Sequence, residues 1–222
     1  HRAAPLTSTS RSRSVRDRVY RQAMATPITI DGYRVEPLTP ATWPAYADLA
    51  EKHNGVWGGC WCLWFHQPLD PEERKLGGRG LKEKYVLEDR THAAVVLEGE
   101  QAIAWCQFGP VAELPNIHHR KEWEKGVTQP PDYRLTCLFV DRDHRRDGLA
   151  AVAVRGALGL IARAGGGRVE AYPHDLPEGK KTSASFLYNS TRTMYERLGF
   201  TYDRPKGKGN CVMWTVVAAD EG

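Results

Sequence analysis

The chain has 222 residues, enough for one large domain or two small ones. Hydrophobic residues make up 41% and charged residues 26%, a balance that excludes disordered, collagen-like and disulfide-dense proteins. No apolar run approaches the roughly 18 residues of a membrane span, so a transmembrane protein is excluded as well. The five cysteines are an odd number and no secretory signal opens the chain, so we expect a reduced, cytoplasmic protein.

The net charge of +4 is concentrated near the N-terminus. Residues 1–25 carry six arginines and one acid, which leaves the rest of the chain close to neutral. A nucleic-acid-binding domain would need a basic face of its own, so we expect no nucleic-acid partner. Residues 1–24 are interpreted as a tag or upstream segment, because the chain starts with His1 and Met24 precedes the first regular pattern. Residues 25–222 are predicted to form a single domain.

Hydrophobic periodicity and turn residues predict alternating strands and helices. In chain order the predicted elements are a strand at 33–36, a helix from about 40 to 53, an aromatic loop at 56–66, a helix at 79–88, a hairpin at 92–97 and 101–108, a long loop at 109–132, a strand at 134–140, a helix at 148–164, a strand at 169–172, a helix at 182–198 and a hairpin at 200–203 and 212–217. Strand 134–140 has apolar residues at both odd and even positions, which is typical of a central strand covered on both faces. This order predicts a mixed α/β domain.

The passage from strand 134–140 into the next helix is suited to hold an anion. It reads LFVDRDHRRDGLA from Leu138 to Ala150. The first N–H groups of a helix have no internal partner and carry about half a positive charge, so a phosphate can accept several hydrogen bonds there. Gly148 lets the backbone approach a ligand, and Arg145 and Arg146 can add charge-assisted bonds. The stretch is neither a Walker loop nor a dinucleotide fingerprint.

Two motifs resemble the GNAT superfamily of N-acetyltransferases. Residues 145–150 (RRDGLA) match the pattern Gln/Arg-x-x-Gly-x-Gly/Ala, with which that superfamily holds the diphosphate of acetyl-CoA. Residues 195–200 (YERLGF) resemble its second signature, Tyr-Glu-x-x-Gly-Phe, and lie at the expected distance. The resemblance covers about residues 33–217, and an early Cys-Trp-Cys stretch at 60–62 is similar to an uncharacterised branch of the superfamily.

The resemblance implies a fold and a set of cofactor contacts. The fold is a single mixed, mostly antiparallel sheet with a central splayed parallel strand pair, flanked by helices. Acetyl-CoA is the implied cosubstrate, with its pantetheine arm between the splayed strands, near the backbone of Leu138 and Val140. The residues expected to bind it are Leu138, Phe139, Val140, Arg145, Arg146, Asp147, Gly148, Leu149, Ala150 and Asn189.

The resemblance also suggests catalytic groups. Tyr195 matches the family's general acid, and a phenol is protonated at neutral pH, as that role requires. Where some relatives carry a Glu or His base, this sequence has Arg134 and Thr136, neither of which is suitable. Glu170 on the neighbouring strand is the first substitute. The alternatives are His174, His118, His119, Glu113 or a chain of water molecules.

The aromatic stretch after the first helix is a candidate acceptor site. The family builds its substrate site at this place, so Trp57, Trp61, Trp64 and Phe65 are predicted to bind the acceptor, with core packing as the alternative.

The same stretch suggests a metal or a nucleophile. His53, Cys60, Cys62 and His66 could supply four metal ligands, but Cys-x-Cys is not the usual zinc spacing and we expect no metal. A cysteine nucleophile at Cys60, Cys62 or Cys137 has no clear adjacent base in the sequence.

These patterns together predict an N-acetyltransferase. It would transfer an acetyl group from acetyl-CoA to a small-molecule primary amine by direct attack in a ternary complex. The alternative is a non-catalytic acyl-CoA sensor of the same fold, which the missing strand base favours. We expect no membrane partner, while the acceptor's identity and the oligomeric state, a homodimer included, stay open.

Overall fold

The structure is a computed structural model that describes residues 26–176 and 188–220. Its strands are β1 (Ile28–Ile30), β2 (Tyr33–Pro37), β3 (His92–Glu98), β4 (Gln101–Pro110), β5 (Tyr133–Val140), β6 (Gly167–Ala171), β7 (Thr201–Pro205) and β8 (Cys211–Val217). Its α-helices are α1 (Trp43–Lys52), α2 (Pro71–Arg74), α3 (Gly77–Leu87), α4 (Arg120–Gly126), α5 (Leu149–Arg163) and α6 (Arg192–Arg197). The described strands form one sheet in the order β1-β2-β3-β4-β5-β6-β8-β7.

One parallel pair lies inside an otherwise antiparallel sheet. β5 and β6 run parallel and pair from Tyr133 with Val169 to Leu135 with Ala171, whereas every other neighbouring pair of described strands is antiparallel. β5 continues beyond Leu135 to Val140 without pairing to β6, so the two strands separate there. The predicted fold, a mostly antiparallel sheet with a central splayed parallel pair, is therefore confirmed.

Helices cover the sheet on both faces because β5 and its neighbours are apolar on both faces. Leu135 and Leu138 belong to the core under α5, while Cys137 and Phe139 belong to the core under α1, α3 and the aromatic segment. Each fully buried aliphatic side chain contributes about 1.5–3 kcal/mol. No helix within residues 26–176 and 188–220 combines the length and hydrophobicity needed to cross a bilayer.

The first helix begins later than the sequence predicts. Its first residue is Trp43, preceded by Thr42, whereas the predicted start is near residue 40. The Thr42 hydroxyl donates to the Pro37 carbonyl (2.7 Å) and accepts from the Thr39 N–H (2.8 Å), so residues 39–42 form a separate turn after β2. Local propensity favoured Pro40 at the helix start, but these contacts decide otherwise.

Two further predictions are corrected. The long loop at 109–132 contains α4, whose only buried side chain is Trp123 and whose apolar periodicity is therefore weak. The helix predicted at 182–198 is not continuous within the described residues, and residues 182–187 lie outside them. Residues 188–190 form a turn, and Thr191 caps α6 because its hydroxyl accepts from the Met194 N–H (3.4 Å).

Candidate functional site

A groove of about 590 Å³ lies where β5 ends and α5 begins. It is lined by Leu138, Phe139 and Val140 of the strand, by Arg145, Arg146, Gly148, Leu149 and Ala150 of the turn and helix, and by Trp57 and Ser190. The structure therefore gathers most of the residues that the sequence predicted for cofactor binding around one cavity. Asp147 is exposed and is not among the lining residues.

The start of α5 presents bare backbone to this groove. Gly148 has φ +76°, and a Cβ added there would meet no atom within 4 Å. The Gly148 carbonyl accepts from the amides of Ala151 (2.9 Å) and Val152 (3.3 Å). No described residue accepts a hydrogen bond from the amides of Gly148, Leu149 or Ala150. An anion in the groove can accept from these amides and from Arg145 and Arg146.

The edge of β5 offers a second set of amides, and one of them already has a partner. The Leu138 N–H donates to the Tyr188 carbonyl (2.7 Å). Leu138 pairs with Cys106 and Val140 with Ala104, without a register shift between the two pairs. Because amide direction alternates along an antiparallel strand, the Val140 amide points to the same side as that of Leu138, away from β4. Val140 thus retains an amide at the groove.

The turn at 188–190 bridges the splayed strands. The Asn189 side-chain amide lies 3.3 Å from the Tyr172 carbonyl, which follows β6, and also beside the Thr136 carbonyl on β5. Asn189 is only 4% exposed and is not among the residues that line the groove. The structure therefore places Asn189 between the strands and not at the groove.

A second, smaller cavity of about 280 Å³ adjoins the first, and Trp57 lines both. Its other aromatic side chains are Trp64, Phe65 and Tyr188. Three thiols (Cys60, Cys62 and Cys137) and the imidazole of His118 complete its described lining. Trp61 lies elsewhere, packed against Trp43 with ring centroids 6.0 Å apart. Three of the four predicted acceptor residues thus line one cavity, and Trp61 belongs to the core.

Unusual backbone positions Trp57 where the cavities meet. Val56 (φ +46°) and Trp57 (φ +43°) both adopt the left-handed conformation, which is rare for side chains other than Gly, Asn and Asp. Gly55 is required beside them, because its Cβ would lie 2.5 Å from the Trp61 indole nitrogen. Such conformations persist only where the surroundings enforce them, and they concentrate at functional sites. This is why neither the helix nor the strand pattern fitted residues 56–66.

His118 supplies the imidazole of the second cavity, here called the aromatic cavity, whose described lining also includes three thiols and the Tyr188 phenol. Its imidazole stacks on the Trp64 ring, with centroids 3.8 Å apart and planes 12° apart. Its carbonyl accepts from the Lys206 ammonium (2.7 Å). Burial lowers the pKa of His118 below 6.5, and the positive charges of Lys206 and His119 act in the same direction. A neutral imidazole that can accept a proton therefore lies at the cavity near pH 7. From the sequence, His118 is only one of several alternative candidates for the general base.

The two residues predicted as acid and base lie away from both cavities. Tyr195 is 1% exposed and packs edge-on against Phe200 with ring centroids 5.0 Å apart. Burial raises its pKa well above 10. Glu170 is fully buried and accepts from the Trp123 indole N–H (2.8 Å) and the Tyr172 hydroxyl (3.0 Å). Their catalytic roles stay predictions, and this geometry does not favour them.

The other candidate bases occupy varied positions. His174 lies with its ring centroid 5.7 Å from that of Tyr188, and His119 lies 3.5 Å from Glu122. Glu113 is 2.7 Å from His92 Nδ1, at a different part of the sheet.

In the described part of the chain, no cluster of three or more His, Cys, Asp or Glu side chains is arranged to hold a metal ion.

A buried carboxylate anchors the turn that precedes the groove. The Asp141 side chain accepts from the Lys52 ammonium (2.7 Å) and lies 3.1 Å from His53 Nε2, both at the end of α1. Burial by itself would raise the pKa of Asp141, but the bonds from Lys52, from the Asp143 amide and from His53 outweigh it and hold the pKa at about 2. The anchor thus depends on the ionised carboxylate.

We therefore expect Asp141→Asn to destabilise the fold by about 2 kcal/mol at pH 7. A carboxyl whose pKa is depressed by folding stabilises above its unfolded pKa, near 3.8, and that contribution is lost as the pH falls towards 2. Urea unfolding at pH 7 and at pH 2.5 measures the gap between variant and wild type, which should narrow at the lower pH. Asp143→Asn removes an exposed partner of the same lysine and is the control. Equal stabilities of wild type and Asp141→Asn at pH 7 would contradict the expectation.

Comparison with known proteins finds similar folds at low sequence identity. No protein-family model and no curated protein matches the sequence. The GNAT domain of PAT from S. lividans is 15% identical, with 86% of this chain and 96% of that chain covered and a TM-score of 0.49. The aminoglycoside 6'-N-acetyltransferase from Enterococcus faecium is 12% identical (85% and 99% covered, TM-score 0.48). The PaiA N-acetyltransferase from Thermoplasma acidophilum, in complex with coenzyme A, is 11% identical (82% and 98% covered, TM-score 0.45). At these identities the likeness concerns the fold alone.

Proposed function

We propose that this protein is a GNAT-type N-acetyltransferase that transfers an acetyl group from acetyl-CoA to the primary amine of a small molecule. One observation carries the proposal: two chemically different cavities meet at Trp57. The first offers free helix amides and two arginines to an anion, and the second is aromatic and contains a neutral imidazole. A polyanionic donor and an amine acceptor need such a pair of adjoining sites.

The groove residues fit the diphosphate of a coenzyme A thioester. The amides of Gly148 to Ala150 and the guanidinium groups of Arg145 and Arg146 would hold it, since each charge-assisted hydrogen bond contributes about 1.5–3 kcal/mol. Bound acetyl-CoA would supply the reactive thioester. The Val140 amide would polarise the thioester carbonyl, in the manner of an oxyanion-hole donor.

Proton movements fall to two side chains of the aromatic cavity. His118 would accept a proton from the ammonium form of the acceptor, which frees the nitrogen lone pair for attack. The nitrogen attacks the thioester carbonyl and forms the C–N bond, and as the C–S bond breaks the departing thiolate takes a proton from the Tyr188 hydroxyl. The second proton of the nitrogen then restores the Tyr188 phenol, and His118 releases its own proton to solvent. Burial raises the pKa of Tyr188 above 10, so this phenol is protonated at neutral pH.

A pair of tyrosine variants tests the assignment. We expect Tyr188→Phe to lower kcat for thiol release from acetyl-CoA by about 10²-fold, the lower end of what a general acid contributes, with little change in CoA affinity. Tyr195→Phe is the matched substitution in the core, and we expect it to leave kcat close to that of the wild type. Release kinetics with a chromogenic thiol reagent measure both. Loss of kcat in Tyr195→Phe alone would return the acid role to Tyr195.

The rival function is an acyl-CoA sensor of the same fold. A sensor would bind CoA tightly, as measured by calorimetry, and would release no thiol with any amine. Tyr188→Phe would then have no effect on the CoA affinity. Thiol release that depends on an added amine would exclude it.

A further inference from the structure

The described residues that line the aromatic cavity include no Asp, Glu, Lys or Arg, in contrast to those of the groove beside it. They are four aromatic side chains, three cysteines and His118. An ammonium group in such a cavity gains no partner carboxylate from the described residues, so only the faces of the aromatic rings can offset the loss of its hydration. Each further ammonium group that a ligand brings into the cavity adds to that cost.

The dimensions of the cavity restrict its ligand further. Its volume is about 280 Å³, and one water molecule occupies about 30 Å³ in the liquid, so a molecule of roughly ten non-hydrogen atoms fits. Trp57 and Tyr188 pack edge-to-face against each other at 72° with centroids 6.0 Å apart, and they form one apolar wall of the cavity. Such a wall favours an aromatic or aliphatic body beside it.

We propose that the acceptor is a small primary monoamine on an aromatic or aliphatic body, bound among Trp57, Trp64, Phe65 and Tyr188, and not a polyamine or an aminosugar. This inference rests on the proposed function and specifies its substrate. A monoamine brings a single ammonium group, which the aromatic rings can stabilise. A polyamine would keep further charges in a cavity that provides no carboxylate from the described residues.

Steady-state kinetics on the full chain with acetyl-CoA test the class. The amines are 2-phenylethylamine, hexylamine, spermidine and kanamycin, and thiol release is the readout. We expect kcat/KM for the two monoamines to exceed that for the two polycations at least 100-fold, a factor that corresponds to about 2.8 kcal/mol. Higher kcat/KM for spermidine or kanamycin would overturn the inference and leave the proposed acetyltransferase intact.

A variant pair locates the site. Cys60 is the partly exposed thiol of the cavity, and Cys60→Asp introduces a carboxylate there. We expect Cys60→Asp to lower the ratio of kcat/KM for the monoamines to kcat/KM for the polycations at least tenfold, while Cys60→Ser retains the wild-type ratio.

Trp64→Leu should raise KM for 2-phenylethylamine and leave KM for acetyl-CoA unchanged. Trp214→Leu, outside both cavities, is its control. An unchanged amine preference in well-folded Cys60→Asp and an unchanged amine KM in Trp64→Leu would place the acceptor elsewhere.

Binding separates this inference from the proposed function. Suppose that 2-phenylethylamine quenches the tryptophan fluorescence of the protein in the presence of CoA, but that no thiol is released when acetyl-CoA replaces CoA. That result would retain the monoamine site and refute the transferase. A kcat/KM that rises with the length of the acyl donor and is indifferent to the amine would place the acyl chain in the cavity and overturn the inference.

Discussion

Gly148→Asp is expected to raise the dissociation constant of CoA more than tenfold while the fold survives. Aspartate would bring a carboxylate to the amides of Leu149 and Ala150 that a diphosphate would use, so it both repels the ligand and competes with it. A tenfold loss corresponds to about 1.4 kcal/mol. The space around the Gly148 Cβ position is open, and aspartate tolerates positive φ better than most residues, so folding should be retained. Isothermal calorimetry measures the affinity.

Gly99→Asp is the matched control for this change. Gly99 also has positive φ (+58°) and open space around its Cβ position, but it lies in the turn between β3 and β4. Both variants should unfold at similar temperatures, and only Gly148→Asp should lose affinity for CoA. Wild-type affinity in Gly148→Asp would refute the groove as a diphosphate site, and the proposed function would fail with it.

His118→Gln is expected to lower kcat/KM for the amine by about 10²- to 10⁴-fold, the range for loss of a general base. Glutamine preserves much of the side chain's size over Trp64 but cannot take up a proton. The affinity for CoA should change little, since His118 lines the aromatic cavity and not the groove. His119→Gln, at the neighbouring residue outside both cavities, should retain wild-type kinetics.

The pH profile gives an independent readout of the same group. Burial lowers the pKa of His118 below 6.5, so the wild-type kcat/KM should fall only as the pH drops below that value and protonates the imidazole. Between that pKa and pH 8 the profile should be flat with respect to this group. The profile of His118→Gln should lack the acidic limb. An acidic limb that persists unchanged in the variant would assign the base to another residue.

The turn proposed to bind the diphosphate could be predicted from local sequence patterns. Residues 138–150 contain, in order, the end of a buried strand, two arginines, a glycine and the start of an apolar helix. The strand and helix periods can be recognised in the sequence without knowledge of any long-range contact. The same residues line the groove in the structure. Asp147 was included only because it stands inside the motif, and its exposed side chain lies outside the groove.

The positions of the side chains proposed for catalysis could not be predicted from local sequence patterns. Tyr195 matches a signature by position, but its direction depends on how α6 packs, and it enters the core beside Phe200. Glu170 was chosen for its place beside the splay, yet Trp123 and Tyr172 enclose it. His118 is far from the aromatic segment in sequence and meets Trp64 only through folding.

The sequence by itself determined most of the order of strands and helices, the turn proposed to bind an anion and the aromatic residues 57–65 of the second cavity, because these follow from residues close together in the chain. It missed the short elements β1, α2 and α4. Tertiary structure alone decided that Tyr188 and Asn189 bridge the splayed strands, that Trp57 lies between two cavities and that His118 joins the second of them. The physical reason is that side-chain periodicity records which face of an element is buried, whereas contacts between distant segments depend on packing and backbone strain that no local pattern encodes.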